Sequence, residues 1–278
     1  MSSTIVNRSR KFARSKVALA VPVTFLILFV TTLGLVSVTY YFAAQKVGSE
    51  SQMVKIMTAK QSMLSLNDEI LSVTWNPGSS SAINFEEAGG VLNIRPISNS
   101  IEISINDGVQ IQESVFNSSI GEVAYELPVA PVSDSGVYLT GDYRTVVNQT
   151  GTTQSQVSIE TGSEYQEIHL SYRPMVSFYN GGIDNGKEVN NVRIYVLSLN
   201  SSESLSIRGE IPLKIKCLDT QIINKQYDFN YQPTNLAIRC TSDGVTGNVA
   251  VPLSNTTQGA IINLEIVVVN VAVERSLR

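Results

Sequence analysis

VALAVPVTFLILFVTTLGLVSVTYYFAA, residues 17–44, runs for 28 residues without a charge, and a helix needs only about 20 apolar residues to cross a hydrocarbon core. Pro22 falls in the second turn of the run, where a missing amide bond costs little. Five basic residues precede it (Arg8, Arg10, Lys11, Arg14, Lys16), and the first acidic residue of the chain is Glu50. This bias predicts a single-pass protein of the cell membrane with a cytoplasmic N-terminus and an extracellular C-terminal region. Tyr40, Tyr41 and Phe42 suit the outer interfacial belt. A secretory signal is the competing reading, but its apolar region spans about 7 to 15 residues, and Ala43-Ala44-Gln45 is where a cut would fall.

Working outward, residues 1–16 form a polar basic leader with no pattern for a domain. On the other side, Met53, Ile56, Met57, Met63, Leu64, Ile70 and Leu71 recur at helical spacing. The helix is expected to continue as an amphipathic stalk over residues 45–76, with Gly48 and Ser49 as the place for a bend. Trp75-Asn76-Pro77-Gly78 should stop it, because proline cannot continue a helix and disfavours helical geometry at the residue before it. An apolar stripe left in water favours burial by about 25 cal/mol per Å². Met53, Ile56, Met57, Met63 and Leu64 are therefore expected to form an assembly seam with another copy or a partner helix, broken by Lys60 and Asn67.

Residues 77–278 read as strands. Ile101, Ile103 and Ile105 alternate with polar residues up to the turn at Asn106-Asp107-Gly108, a hairpin signal. Val123, Tyr125 and Leu127 alternate in the same way, as do Ile168, Leu170 and Tyr172, and Val192, Ile194 and Val196. The longest alternation runs from Leu205 to Cys217; Gly209 and Pro212 inside it predict a bulge or a change of sheet, with Pro212 favouring an edge. AIINLEIVVVNVAVE, residues 260–274, is so apolar that it reads as a central strand covered on both faces. A second membrane helix is the alternative, but the segment is short, β-branched and carries Glu265. Gly89-Gly90 reads as a hairpin turn. The fold class is mainly β: a transmembrane helix and stalk, then an antiparallel β-sandwich of one large or two stacked modules.

Composition narrows the function. Without the leader the chain has 15 basic against 24 acidic residues, so a nucleic-acid surface, which needs clustered positive charge, is not expected. The only two cysteines, Cys217 and Cys240, share inward parity on their strands and lie on the predicted outer side, so they are expected to form a disulfide contributing about 3 kcal/mol. Asn117, Asn148, Asn200 and Asn255 each begin an Asn-x-Ser/Thr sequon and are candidate glycosylation sites.

No catalytic or metal site is expected, and no cofactor. His169 is the only histidine, on the predicted outward face of its strand, and no Gly-x-Ser-x-Gly elbow accompanies it. It reads as an exposed surface residue. Two cysteines cannot make a four-thiolate zinc site. Asp107, Asp134, Asp142, Asp184 and Asp243 sit in turns without the ligand spacing of a calcium loop. Trp75 is the one tryptophan, and few other aromatics are evident for stacking on sugar.

The layout resembles the archaeal pilin-like proteins, in which a basic leader and long apolar helix carry a glycosylated β-sandwich head. It also resembles functionally uncharacterised membrane-anchored archaeal surface proteins, chiefly in MLSLNDEILSVTWNPGSS (63–80) and GEVAYELP (121–128). The resemblance implies cleavage of the leader, and Arg14-Ser15 matches that site loosely, although Ala20 stands where many pilins have Glu. The expectation that follows is a non-catalytic surface protein whose head makes structural or adhesive contacts, with the filament subunit as a special case. An extracellular ligand-binding or sensory module is the alternative, and an anchored enzyme comes third. The expected partners are the membrane, a second stalk, and glycans or surface-layer proteins, with no nucleic acid.

Overall fold

The computed structural model describes the backbone of residues 9–128, 135–150 and 152–276, with side chains from Pro22 onward. The basic leader's side chains and Asp134 lie outside the described residues. The chain divides into two compact units, Met1–Met53 and Val54–Arg278, and helix α1 (Ser9–Thr74) begins in the first and ends in the second.

In the first unit no side chain from Pro22 to Met53 is buried, and mean hydropathy over the most apolar window of the helix reaches 2.0. It is the one helix among the described residues long and apolar enough to cross a membrane. Three of its hydroxyls are satisfied internally: Thr32, Ser37 and Thr39 donate to the carbonyls of Leu28, Leu33 and Leu35 at 2.7–2.8 Å.

The second unit adds sixteen strands to residues 54–74 of α1: β1 (Ser80–Phe85), β2 (Val91–Arg95), β3 (Ser100–Asn106), β4 (Gln112–Ser119), β5 (Glu122–Pro128), β6 (Val137–Thr140), β7 (Val147–Asn148), β8 (Ser155–Thr161), β9 (Tyr165–Tyr172), β10 (Met175–Asp184), β11 (Lys187–Ser198), β12 (Leu205–Arg208), β13 (Ile211–Phe229), β14 (Asn235–Ser242), β15 (Val245–Pro252) and β16 (Ala260–Arg275). They make three sheets: a long sheet ordered β1-β13-β16-β11-β10-β7, a covering sheet ordered β12-β2-β5-β9-β8-β6, and a small sheet ordered β15-β14-β3-β4. Helix plus β-sandwich is as the sequence predicts, and most pairs are antiparallel. The long sheet is mixed, because β16 runs parallel to β11, and β7 parallel to β10.

Two hydrophobic cores share the long sheet. One lies between it and the covering sheet and takes in the end of α1; the other lies between it and the small sheet. β16 feeds both. Ile262, Leu264, Ile266 and Val268 enter the second core, and Val267, Val269, Val271 and Val273 the first, so the apolar run is the central strand that its composition predicts; the expected cover on both faces holds only from Ile266 to Val273, since Asn263 and Glu265 are half-buried. β13 serves both cores differently. Its odd residues Ile211 to Cys217 face the first core, an extra residue at Leu218 shifts the register against β16, and from there odd residues such as Ile223 and Phe229 face the second. A one-residue bulge turns the strand over.

The stalk expectation is corrected here. Ala59, Met63, Leu66 and Ile70 are wholly buried and Val73 nearly so, a stripe spaced 4, 3, 4 and 3 residues that the head's own sheets cover. Ile56 and Leu64 pack against the same core. Of the proposed seam, only Met53 (52%) and Met57 (63%) are exposed. Asn67 is no break in a seam: it is buried, and its Oδ1 accepts a hydrogen bond from Tyr172 Oη at 3.2 Å.

Other boundaries follow local chemistry. The helix ends at Thr74, and Gly78, with φ of 84°, redirects the chain so that its amide donates to the Cys217 carbonyl at 2.9 Å. Gly209, φ 96°, is where the long alternation changes sheet, between β12 and β13. Pro212 lies at the start of β13, which is inside the sheet rather than at its edge; that position also tolerates proline. Gly89-Gly90 is not a hairpin turn, since β1 and β2 belong to different sheets. Gly90 instead allows a close approach, as a Cβ there would lie 2.2 Å from the Glu126 carbonyl oxygen.

Replacing Ile70 by alanine should destabilise the head by about 2–5 kcal/mol through a cavity in the first core. Met57→Ala should cost less than about 0.5 kcal/mol. Chemical denaturation of the full chain in micelles, read by tertiary-structure signals of the head, checks the contrast; equal losses would contradict the packing described.

Candidate binding surfaces

The two cysteines do not meet. Cys217 lies in the first core and Cys240 in the second, both free and buried. The disulfide expectation is therefore corrected: inward parity places each thiol in a core, but the long sheet separates the cores. Cys217 Sγ lies 3.4 Å from the Thr74 carbonyl oxygen. Burial pushes the Cys240 thiol up to about 12, so it is inert at neutral pH.

The four sequons take different settings. Asn117 is exposed on β4, at the edge of the small sheet, whereas Asn148, Asn200 and Asn255 are half-buried. Asn255 Nδ2 donates to the Pro233 carbonyl at 3.1 Å.

His169 is not the exposed residue its parity suggests. It does lie on the outward face of the covering sheet, but its side chain is only 15% exposed. It lines a cleft of about 380 Å³ between the covering and small sheets, together with Glu122, Glu160, Tyr138, Tyr143 and Arg173. Nδ1 lies 3.6 Å from Glu122; Nε2 lies 3.1 Å from Glu167 and 3.8 Å from Glu160, without hydrogen-bond alignment. Arg95 bridges Glu122 at 3.1 Å and Glu167 at 2.8 Å. Burial lowers the His169 pKa, but Glu122 and then the other glutamates outweigh it and raise the net value. For Glu122, burial raises the pKa and His169 and Arg95 outweigh it, leaving it lowered. The lowered Glu122 is thus held as a carboxylate, the opposite of the raised carboxyl of a glycosidase general acid.

Asp107 and Asp243 do ordinary turn chemistry. Asp107 Oδ1 accepts from the amides of Val109, Gln110 and Ile111 at 2.8–3.1 Å. Asp243 accepts from the Ser100 amide at 3.0 Å. Asp142 is paired with Arg144 and with the buried Arg173, which also donates to the carbonyls of Thr153 and Arg144. Among the described residues, no group of three His, Cys, Asp or Glu side chains could hold a metal ion.

The second surface escaped sequence reading. Beyond the end of α1, one face of the long sheet has nothing packed over it among the described residues, and adjacent depressions of about 570 and 320 Å³ run along it, both lined by Arg193 and Glu265. Strand register sets its rows: Met175, Tyr195, Val267 and Ile222 stand side by side, then Ser177, Arg193, Glu265 and Asn224, then Tyr179, Asn191, Asn263 and Gln226. Trp75 meets Tyr195 edge to face with centroids 5.2 Å apart, and the Arg193 guanidinium lies 6.0 Å above the Tyr195 ring centroid. Gln226 Nε2 donates to Asn263 Oδ1 at 3.0 Å, and Asn263 Nδ2 to Asn191 Oδ1 at 3.1 Å. These residues are far apart in sequence, and only the register of β10, β11, β16 and β13 brings them together.

Two outcomes are expected. Mass mapping of unreduced protein should find no Cys217–Cys240 link, with both thiols alkylated only after unfolding. The second concerns His169. Its folded pKa lies above 6.5, so its stabilisation is complete below about pH 6.5 and is lost as pH rises through the folded value. Glu122 is depressed below 4.5, so its share is present above about pH 4.5 and is lost as pH falls through the folded value. The melting-temperature advantage of wild type over His169→Gln should therefore peak between these limits; an advantage growing from pH 7 to 9 would contradict the cluster. Comparison of the chain with protein-family models, curated proteins and solved structures finds no match.

Proposed function

We propose that this is a non-catalytic, single-pass cell-surface protein whose β-rich head faces outward and makes structural or adhesive contacts, and that the exposed part of its helix packs against another copy, as in a pilin-like filament. The observation that carries the reading is the division of labour along α1. Its apolar stretch from Pro22 is uncovered by the chain, whereas residues 59–73 are built into the head. The membrane is the natural cover for the first part. Met53 and Met57 follow with large exposed apolar side chains, which leaves a short seam for a neighbouring helix.

The non-catalytic part is supported by the cleft, where Arg95 bridges Glu122 and Glu167 and His169 lies against the same two carboxylates, an arrangement that holds Glu122 ionised rather than as an acid. Orientation rests on the basic leader, and glycan attachment at Asn117 on its exposure.

Protease added to intact cells should remove the head after Gln45 and spare the leader; a protected head with a cleaved leader would overturn the orientation. Cysteine introduced at Met53 or Met57 should crosslink to another chain in membranes, while cysteine at Ser49, Gln52 or the buried Met63 should not. A monomeric pattern at both methionines would leave a lone tethered head.

A further inference from the structure

We propose that the uncovered face of the long sheet, from Trp75 to Gln226, binds a neutral glycan chain. The proposal deepens the adhesive reading above by naming the class of ligand. A sugar ring has apolar C–H faces and a rim of hydroxyls that both donate and accept. The face offers complements to each in adjacent rows: Trp75 and Tyr195 at one end and Tyr179, 59% exposed, at the other, with amide and charged groups between. The amides are already oriented by their ladder. Asn263 uses both its Nδ2 and its Oδ1 in it, while Asn191 Nδ2 and Gln226 Oε1 are not used, leaving one donor and one acceptor held in place for a polyol.

Charge selects against the other occupants. Arg193 is paired with Glu265 at 2.5 Å, and the nearby Lys187 and Lys225 are paired with Asp228 and Glu113. The face thus presents no uncompensated charge to an anionic polymer. A protein partner would have to bury the amide ladder and the ion pair away from water, which costs unless each is satisfied again. Hydroxyls satisfy them directly. Gly181 keeps the Tyr179 end open, since a Cβ there would lie 2.4 Å from Asn191 Nδ2.

Because Trp75 is the sole tryptophan and is 48% exposed, the full chain in micelles carries its own reporter. Cellohexaose, chitohexaose and mannohexaose at millimolar concentration are titrated against polygalacturonate as the anionic arm. At least one neutral hexamer should shift Trp75 emission to the blue and reduce its quenching by acrylamide about twofold. Tyr179→Ala and Asn263→Ala should each weaken that response about five- to tenfold with an unchanged melting temperature, and Tyr143→Ala, at the His169 cleft, should leave it intact. No response to any of the three hexamers, an equal response to polygalacturonate, or a response insensitive to both face variants would overturn the proposal. The Trp75 signal does not depend on membrane orientation, so its failure and a failure of the protease experiment are told apart.

Discussion

Burial of one helical stripe, Ala59, Met63, Leu66, Ile70 and Val73, is the constraint on which the head depends. Two sheets lay their apolar faces against it, so the stripe is the common wall of the first core. Tyr172 closes over it and satisfies the one amide that the stripe carries inward, Asn67. A buried amide without that hydroxyl would cost about 1–3 kcal/mol, and the pair ties the covering sheet to the helix at a defined height. The first strand is placed the same way: Ser81 donates to Glu69 at 2.6 Å, and the chain leaving the helix is held by reciprocal backbone bonds between Gly78, Ser79 and Cys217.

The second constraint is that one sheet lines two cores. A strand alternates faces every residue, so a regular β13 would send every odd side chain to the same side along its whole length. The insertion at Leu218 reverses that. It lets Cys217 and Phe229, both odd-numbered, lie in different cores, and it leaves Ile222, Asn224 and Gln226 on the face past the end of the helix. The single extra residue thus decides which β13 side chains join the second core and which join the uncovered surface.

Much of the fold was legible because it rests on local chemistry. Proline and glycine at 77–78 end the helix, Gly209 changes sheet, and the density of β-branched residues from Ala260 marks a central strand that feeds both cores. What was not legible depends on partners distant in the chain. Helical periodicity shows that one side of residues 53–73 is apolar, but not that the cover is the chain's own head; Ala59, Leu66 and Val73 were missed for that reason. Parity shows that Cys217 and Cys240 point inward, but with two cores the word has two meanings. Outward parity alone predicts an exposed His169, because nothing local signals that three glutamates from β5, β8 and β9 converge on it. The aromatic and amide rows needed the register of four strands.

The position of β16 has a consequence for biogenesis. It pairs with β13 on one side and β11 on the other and contributes to both cores, yet it follows the other strands of the described residues in chain order. Neither core can close until β16 has been made, so β11 and β13 must wait with the edges that it pairs left open. Such a topology is intrinsically slow, since distant segments must find each other before either core rewards the search. While it waits, the chain is exposed to mispairing. No oxidative step is needed to complete a head whose two thiols end in separate cores.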